Sequence, residues 1–502
     1  MHPTQQRSTR KQEIQKDFRH LATIGFTSLV MGTWEILLTA NLPALANGGT
    51  STLFWSMIWC YIGQLFVVLS LAELSSMVPM TGGQYQWVSV FAPLRFQKPW
   101  AYFSGWLCSI GWQSRFTADC YIVAGTIQAL IDINHDLKYE KSPWHQGLLT
   151  VLVAIVISAF NALAAGHLSI AEGFFAVCHV FAFVPIVVSL WVLGPVNSAR
   201  EVLLNFTDHG GGWRHRIIMP LVGQISSMFV VQGSDAVVHI ADEVDDAGVL
   251  MPQCMLWAFL LNVPMTLIML VTLCFNVGDV DDAVNGIFPP FVSIFKFSFR
   301  SVQATTAFTI VILCLLVMIA VSTMVATSRH LFAFGREVAL YYPSWFSKVN
   351  VRFKVPLNAI LSTTFFATLV ALATMACSEA LNTMIGLSVC CLMTTYMASI
   401  GSLIWRRLRR EELLKARWSL GRAGLPVTCA AFLYCAWCFF WSFWPRFHNV
   451  SGNNFQWTSL LFSVVVLLMV LCYRGGRKRK RSFEFDDSTY TLQPMPLWNG
   501  SD

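Results

Sequence analysis

The chain has 502 residues, 55% of them hydrophobic and only 12% charged, with a formal charge of +7 and a positive mean hydropathy. That balance excludes an ordinary soluble domain of this size, whose water-facing surface needs more charge. It also excludes a nucleic-acid-binding surface, because the basic residues sit in short clusters between apolar runs rather than along one polar face.

The first 20 residues are polar and carry Arg7, Arg10, Lys11, Lys16 and Arg19. The apolar run that follows is too long for the core of a signal peptide, so 1–20 is expected to be an uncleaved cytosolic tail. Runs of about 20 apolar residues match the hydrocarbon thickness of a bilayer. They predict spans near 22–46, 52–76, 100–131, 147–166, 172–194 and 219–240, then near 255–277, 301–334, 356–377, 379–403, 425–444 and 455–473. The expectation is an all-α integral membrane protein of about 12 transmembrane helices over 21–475, with a cytosolic tail over 476–502. The third and eighth runs exceed one bilayer thickness and are expected to tilt or to project into solvent.

Orientation follows from Lys and Arg in the short loops. Arg95 and Lys98, then Arg336, Lys348, Arg352 and Lys354, then Arg406, Arg407, Arg409, Arg410, Lys415, Arg417 and Arg422 all fall on the N-terminal side. With an even number of spans the basic cluster at 474–481 joins them, so both termini are expected in the cytosol of a multi-pass protein, placed most readily in the plasma membrane. Two glycosylation sequons, at Asn205 and Asn449, land in loops of the opposite face, as glycosylation requires. The acidic stretch 242–246 and the basic Arg200, Arg214 and Arg216 sit on the sides opposite to expectation, but the rule weighs the total bias.

Most of the 14 cysteines lie inside apolar runs, where a free thiol behaves as a small hydrophobe, so no disulfide framework is expected. Cys435 and Cys438 form a C-x-x-C within the apolar stretch 425–444, a packing position rather than a redox one.

A charge near the bilayer centre costs roughly 2.5–3.5 kcal/mol on insertion scales, so each needs a partner, a wet cavity or a function. Such residues gather in four spans: Glu35 in the first, Arg115 and Asp119 in the third, His179 in the fifth, Asp235 and His239 in the sixth. Spans seven, nine, eleven and twelve have uncharged interiors and read as scaffold. Gly32, Thr33, Trp34 and Glu35 form a glycine-then-polar segment that Gly233, Ser234 and Asp235 repeat in span six. Two such segments at corresponding places in two halves mark either discontinuous helices around a midplane site or close helix packing. Arg115 and Asp119, four apart on one helix face, read as a structural ion pair.

The segment Glu73-Leu74-Ser75-Ser76-Met77-Val78-Pro79-Met80-Thr81-Gly82-Gly83-Gln84-Tyr85 resembles the motif that follows the second span in amino acid/polyamine/organocation permeases. Similar matches are Gly105-Trp106 with Gly111-Trp112-Gln113, Gly233 to His239 leading to Glu243 and Pro252, Ala326-Thr327-Ser328-Arg329 with Phe334-Gly335-Arg336-Glu337, and Val355-Pro356-Leu357-Asn358-Ala359. Together they resemble most the fungal amino acid/choline transporter branch, over roughly residues 20 to 475. The resemblance implies a secondary transporter for a small amine such as an amino acid, choline or 4-aminobutyrate, working by alternating access and needing no cofactor. It implies two inverted five-span repeats, about 21–195 and 218–405, with further helices at about 425–473. It also implies that the broken segments of spans one and six hold the substrate, with Glu35 or Asp235 and Trp34 near its ammonium, and that His179 couples transport to protons, a task an imidazole suits. Arg115 and Asp119 depart from the small apolar pattern of that region.

Two other functional classes compete. Asp235 and His239, four apart, have the spacing of an acid–base pair, but no third group at nucleophile or metal-ligand spacing accompanies them, which argues against an enzyme. The run at 279–282 resembles the start of a calcium loop, but Pro290 stands where a glutamate is needed. A transport-inactive nutrient sensor on the same fold remains the other alternative.

Overall fold

The computed structural model describes residues 20–135, 142–286, 288–337, 343–350, 352–375, 379–452 and 454–478. The two terminal tails lie almost wholly outside the described residues. Among those residues the chain is helical with no strand, and 12 helices are long and apolar enough to cross a membrane. They are His20–Ala46, Gly49–Met77, Gln97–Asn134, Pro143–Leu163, Leu168–Leu193 and Ile218–Glu243, then Ala247–Asn276, Val302–Arg336, Leu357–Thr374, Ala380–Leu408, Gly421–Trp441 and Thr458–Gly475, called spans 1 to 12 below.

Span lengths recur five apart: spans 2 and 7 have 29 and 30 residues, and spans 3 and 8 have 38 and 35. Spans 1 and 6 also share a break. In span 1 the helix His20–Met31 stops at Gly32, whose φ of 48° lies in the left-handed region, and resumes as Thr33–Thr39. Only glycine takes that conformation without strain, and a Cβ there would also collide with the Ile319 side chain of span 8. In span 6 the helical turns end at Val230, Gly233 takes a φ of 108°, and Ser234–Glu243 continues in 3-10 turns that are kinked at Ile240, whose φ of -106° and ψ of 16° are not helical.

Spans 1, 3 and 6 are the most enclosed, with 89%, 78% and 94% of their apolar windows buried, whereas span 12 has only 11%. Glu35, Arg115, Asp119, Asp235 and His239 are therefore on the helices most shielded from lipid, whereas Glu172 and His179 belong to the more exposed span 5 and are buried on its inward side.

The acidic stretch that ran against the charge rule has direct counter-ions. Glu243 meets Arg329 at 2.9 Å with both side chains buried, Asp242 meets Arg336 at 3.1 Å, and Asp246 pairs with Arg417. Glu73 pairs with Arg407 on the same face, through a contact of the motif that follows span 2. These ion pairs tie spans 2, 6, 8 and 10 and the segment before span 11 together on this face. On the opposite face the two sequon loops touch: His448 donates its N–H to the Gly211 carbonyl at 2.8 Å, and Trp213 donates Nε1 to the Arg446 carbonyl at 3.2 Å. Asn205 and Asn449 are both exposed there.

A cavity of about 180 Å³ opens beside Thr39, Tyr121, Phe288, Ile385 and Arg446. Burial lowers the pKa of Arg446, and the Glu379 carboxylate 3.6 Å away opposes that shift. No disulfide occurs among the described residues; Cys435 and Cys438 are free and buried, as expected of packing positions.

Candidate functional site

The two breaks abut. A Cβ at Gly233 would come within 3.1 Å of the Val30 carbonyl oxygen, so the backbone of span 6 passes span 1 at the point where both helices are interrupted. Each interrupted helix leaves carbonyls without a helical partner at its C-terminal end, where the helix dipole is negative. Arg115 of span 3 supplies the missing donors. Its Nη1 donates to the Phe229 carbonyl at 3.0 Å, and its Nη2 to the Val30 and Met31 carbonyls at 3.2 and 3.4 Å. The guanidinium carbon lies 4.3 Å from the centre of the Phe229 ring, and Asp119 Oδ1 lies 3.4 Å from Nε. Asp119 in turn accepts from the Thr323 hydroxyl of span 8 at 2.9 Å. The ion pair read from sequence is therefore present, and its cation joins spans 1, 3 and 6 at once. A planar fork of five donors is what lets one side chain serve carbonyls of two helices and a carboxylate together.

Glu35, in the segment after the first break, receives a 2.6 Å contact from His179 Nδ1 of span 5. Both side chains are buried, with exposures of 0% and 1%. Trp34 packs beside them, its ring 6.0 Å from that of His179 and 5.5 Å from Phe183. Thr33 turns the other way, donating to Asn262 Oδ1 of span 7 at 2.7 Å, while Asn262 Nδ2 donates to Ser28 Oγ at 2.7 Å. The polar segment of span 1 is thus tied to span 5 on one side and span 7 on the other.

In span 6, Asp235 is fully committed: Gln84 Nε2 donates to Oδ2 at 2.6 Å and the Tyr396 hydroxyl donates to Oδ1 at 2.7 Å. His239 Nδ1 donates to the Thr81 carbonyl at 3.2 Å rather than to Asp235. The spacing that suggested an acid–base pair does not bring the two side chains into a hydrogen bond among the described contacts.

Several buried polar atoms at the breaks have no partner in the protein. Trp34 Nε1, Gln232 Nε2 and Oε1, Ser234 Oγ, His179 Nε2, Glu35 Oε2 and Asp119 Oδ1 all lack a hydrogen bond. Buried polar groups are nearly always satisfied, so a group of orphans around two helix breaks marks a place where something else completes the bonding. The group contains both donors and carboxylate acceptors, so the chemistry fits a ligand that both accepts and donates.

Of the residues singled out by sequence, Gly32, Thr33, Trp34, Glu35, His179, Arg115, Gly233 and Ser234 meet around the two breaks, while Asp235 faces Gln84 and Tyr396. Sequence reading missed Glu172, which accepts from Ser322 at 2.7 Å and is buried. It lies seven residues, two helical turns, before His179 and so on its face, which was a usable signal. Gln84, Tyr396 and Asn262 are uncharged and gave none. Nor did Cys108 and His330, which join His239 in a cluster of three potential metal ligands, although sequence spacing offered no metal site.

A family model described as amino acid permease matches residues 21–471. A Macrophomina phaseolina protein named as an amino acid/polyamine transporter is 26% identical over 446 residues, covering 87% of this chain and 96% of the relative. A Neurospora crassa protein named amino-acid permease is 20% identical over 92% of this chain and 85% of the relative. A polyamine transporter of Saccharomyces cerevisiae is 25% identical over 79% of this chain and 65% of its own length. A match that runs from the first span to the last, on a fold of 12 membrane helices, makes this chain a member of the amino acid permease family of membrane transport proteins.

Proposed function

We propose that the protein is a secondary active transporter for a small zwitterionic amine, an amino acid or 4-aminobutyrate, working by alternating access and coupled to protons through His179. The observation that carries the substrate class is the mixed set of orphan groups at the breaks. Trp34 Nε1, Gln232 Nε2 and Ser234 Oγ are donors suited to a carboxylate, and Glu35 Oε2 is an acceptor suited to an ammonium. Arg115 sharpens the choice, because it occupies three carbonyls that an ammonium would otherwise use. With those carbonyls taken, the site offers few acceptors to a polyamine, which carries two or more positive charges and no carboxylate for the orphan donors. Choline has no N–H donor to give to Glu35.

Alternating access is supported by the arrangement of closures. The breaks are buried, ion pairs on the basic face join the end of span 6 to span 8, and a cavity lies toward the opposite face. Two inverted repeats, about 21–195 and 218–405, accord with the recurrence of broken and long spans five apart. Uptake of labelled amino acids, 4-aminobutyrate, choline and a polyamine into transporter-deficient cells tests the reading. The expected result is saturable uptake of a zwitterion; uptake of the polyamine alone refutes the substrate class, and no uptake of any compound favours a transport-inactive sensor.

We also propose that Asn205 and Asn449 carry N-linked glycans on the face opposite the basic clusters, with both termini cytosolic and the protein in the plasma membrane. Endoglycosidase treatment is expected to increase gel mobility in two steps, one lost in Asn205→Gln and the other in Asn449→Gln. A mobility unchanged by the enzyme counts against the orientation.

A further inference from the structure

Cys108 of span 3, His239 of span 6 and His330 of span 8 are all buried, and one ligand atom from each lies within 4.8 Å of the others. Their hydrogen bonds fix what the two rings present. His239 Nδ1 lies 3.2 Å from the Thr81 carbonyl oxygen, and His330 Nε2 lies 3.3 Å from the Gly105 carbonyl oxygen. A carbonyl only accepts, so in a neutral ring each of these nitrogens holds the proton and the other nitrogen holds a lone pair. Those other nitrogens, His239 Nε2 and His330 Nδ1, have no partner, although the ring centres are only 4.8 Å apart. Neither lone pair can donate to the other. Cys108 adds a sulfur whose own contact is a long 3.6 Å to Gln84 Oε1.

We propose that Cys108, His239 and His330 form a binding site for a borderline or soft transition-metal ion of the zinc class. Two neutral imidazoles and a thiolate suit such ions and not the hard magnesium or calcium ions. A ring whose second nitrogen donates to a backbone carbonyl is the arrangement that orients a metal-bound histidine. Zinc bonds of about 2.0 Å to nitrogen and 2.3 Å to sulfur require the ligand atoms to draw together by about 1 Å, a movement within reach of side-chain rotation. As the ion binds, the Cys108 thiol releases its proton to water and the sulfur binds as thiolate.

The place in the fold gives the site a consequence. His239 is four residues before Glu243, and His330 follows Arg329, so the cluster lies along the same span 6 to span 8 seam as the buried Glu243–Arg329 pair. An ion held by spans 3, 6 and 8 fastens that seam. Because all three ligands are buried in this arrangement, the ion enters while the seam is parted and then keeps it closed.

The test uses the full-length purified chain, stripped with a chelator and titrated with Zn²⁺ against a fluorescent competitor. One ion per chain is expected, with X-ray absorption reporting one sulfur and two imidazole nitrogens in the coordination sphere. Cys108→Ser and His330→Gln are each expected to weaken binding by at least about tenfold. Hydrogen exchange over 234–243 is expected to slow at least about tenfold with zinc bound. Substoichiometric binding, or a bound ion with no sulfur neighbour, overturns the site, and exchange that zinc leaves unchanged overturns the fastening of the seam. The wild-type spectrum decides the matter even where a variant fails to fold.

Discussion

Replacing Arg115 by methionine is expected to abolish uptake while leaving the chain in the membrane. Methionine keeps most of the side-chain volume, so packing changes little. What is lost is the donor set for the Val30, Met31 and Phe229 carbonyls and the counter-ion of Asp119. Breaking a buried ion pair by removing one partner costs about 3–5 kcal/mol, because the remaining charge is stranded. That penalty is a factor of about 10² to 10⁴ in the population of the arrangement that holds both breaks together. The double variant Arg115→Met with Asp119→Leu removes the stranded carboxylate as well. It is expected to recover thermal stability in detergent but not uptake, since the breaks still lack their shared clamp. Full uptake by the single variant, measured against an equal amount of surface protein, would make the guanidinium a bystander. Arg115→Lys is expected to fall well short of wild type, because an ammonium is a point charge and lacks the fork that reaches two helices.

The second large effect is expected at His179. In His179→Ala, uptake is expected to lose its dependence on external pH and to fall by at least about tenfold at acidic pH. The reason is that Glu35 is buried at the break and pairs with the basic side chain of His179 at 2.6 Å. Under the proposed coupling, a proton arriving at the pair would change the charge beside the broken segment and beside Trp34, and the return of span 1 to its other arrangement would depend on it. Glu35→Gln is expected to flatten the pH profile in the same way. Glu172→Gln is the informative control: it alters a buried acid on the same helix face, held by Ser322 at 2.7 Å, yet leaves the Glu35–His179 pair intact, and is expected to keep the profile. A His179→Ala protein whose uptake follows pH as the wild type does would remove histidine from the coupling step.

The spans were legible because hydrocarbon thickness imposes a length that no tertiary contact alters, and each sequence-derived span overlaps one of the 12 helices. The breaks were legible as well, since Gly32 and Gly233 are needed for positive φ, and glycine followed by polar residues in an apolar run is a local signal. Charge was visible too, because an ionisable residue stands out in an apolar run whatever it contacts.

Partners were another matter. Sequence placed Asp235 and His239 on one helical face at a spacing of four, but the segment folds as a 3-10 helix, so that spacing loses its meaning and the side chains turn to Gln84 and Tyr396 and to Thr81. Arg115 read as neutralised by its neighbour four residues on, yet its reach to Val30 and Phe229 depends on where spans 1 and 6 break. Cys108 and His330 are 222 residues apart in the chain and meet His239 only because spans 3, 6 and 8 converge. Bilayer thickness, backbone conformation and formal charge act locally and are written in the sequence. Which donor meets which acceptor across helices depends on crossing points and on breaks in the backbone, and only the tertiary structure fixed those.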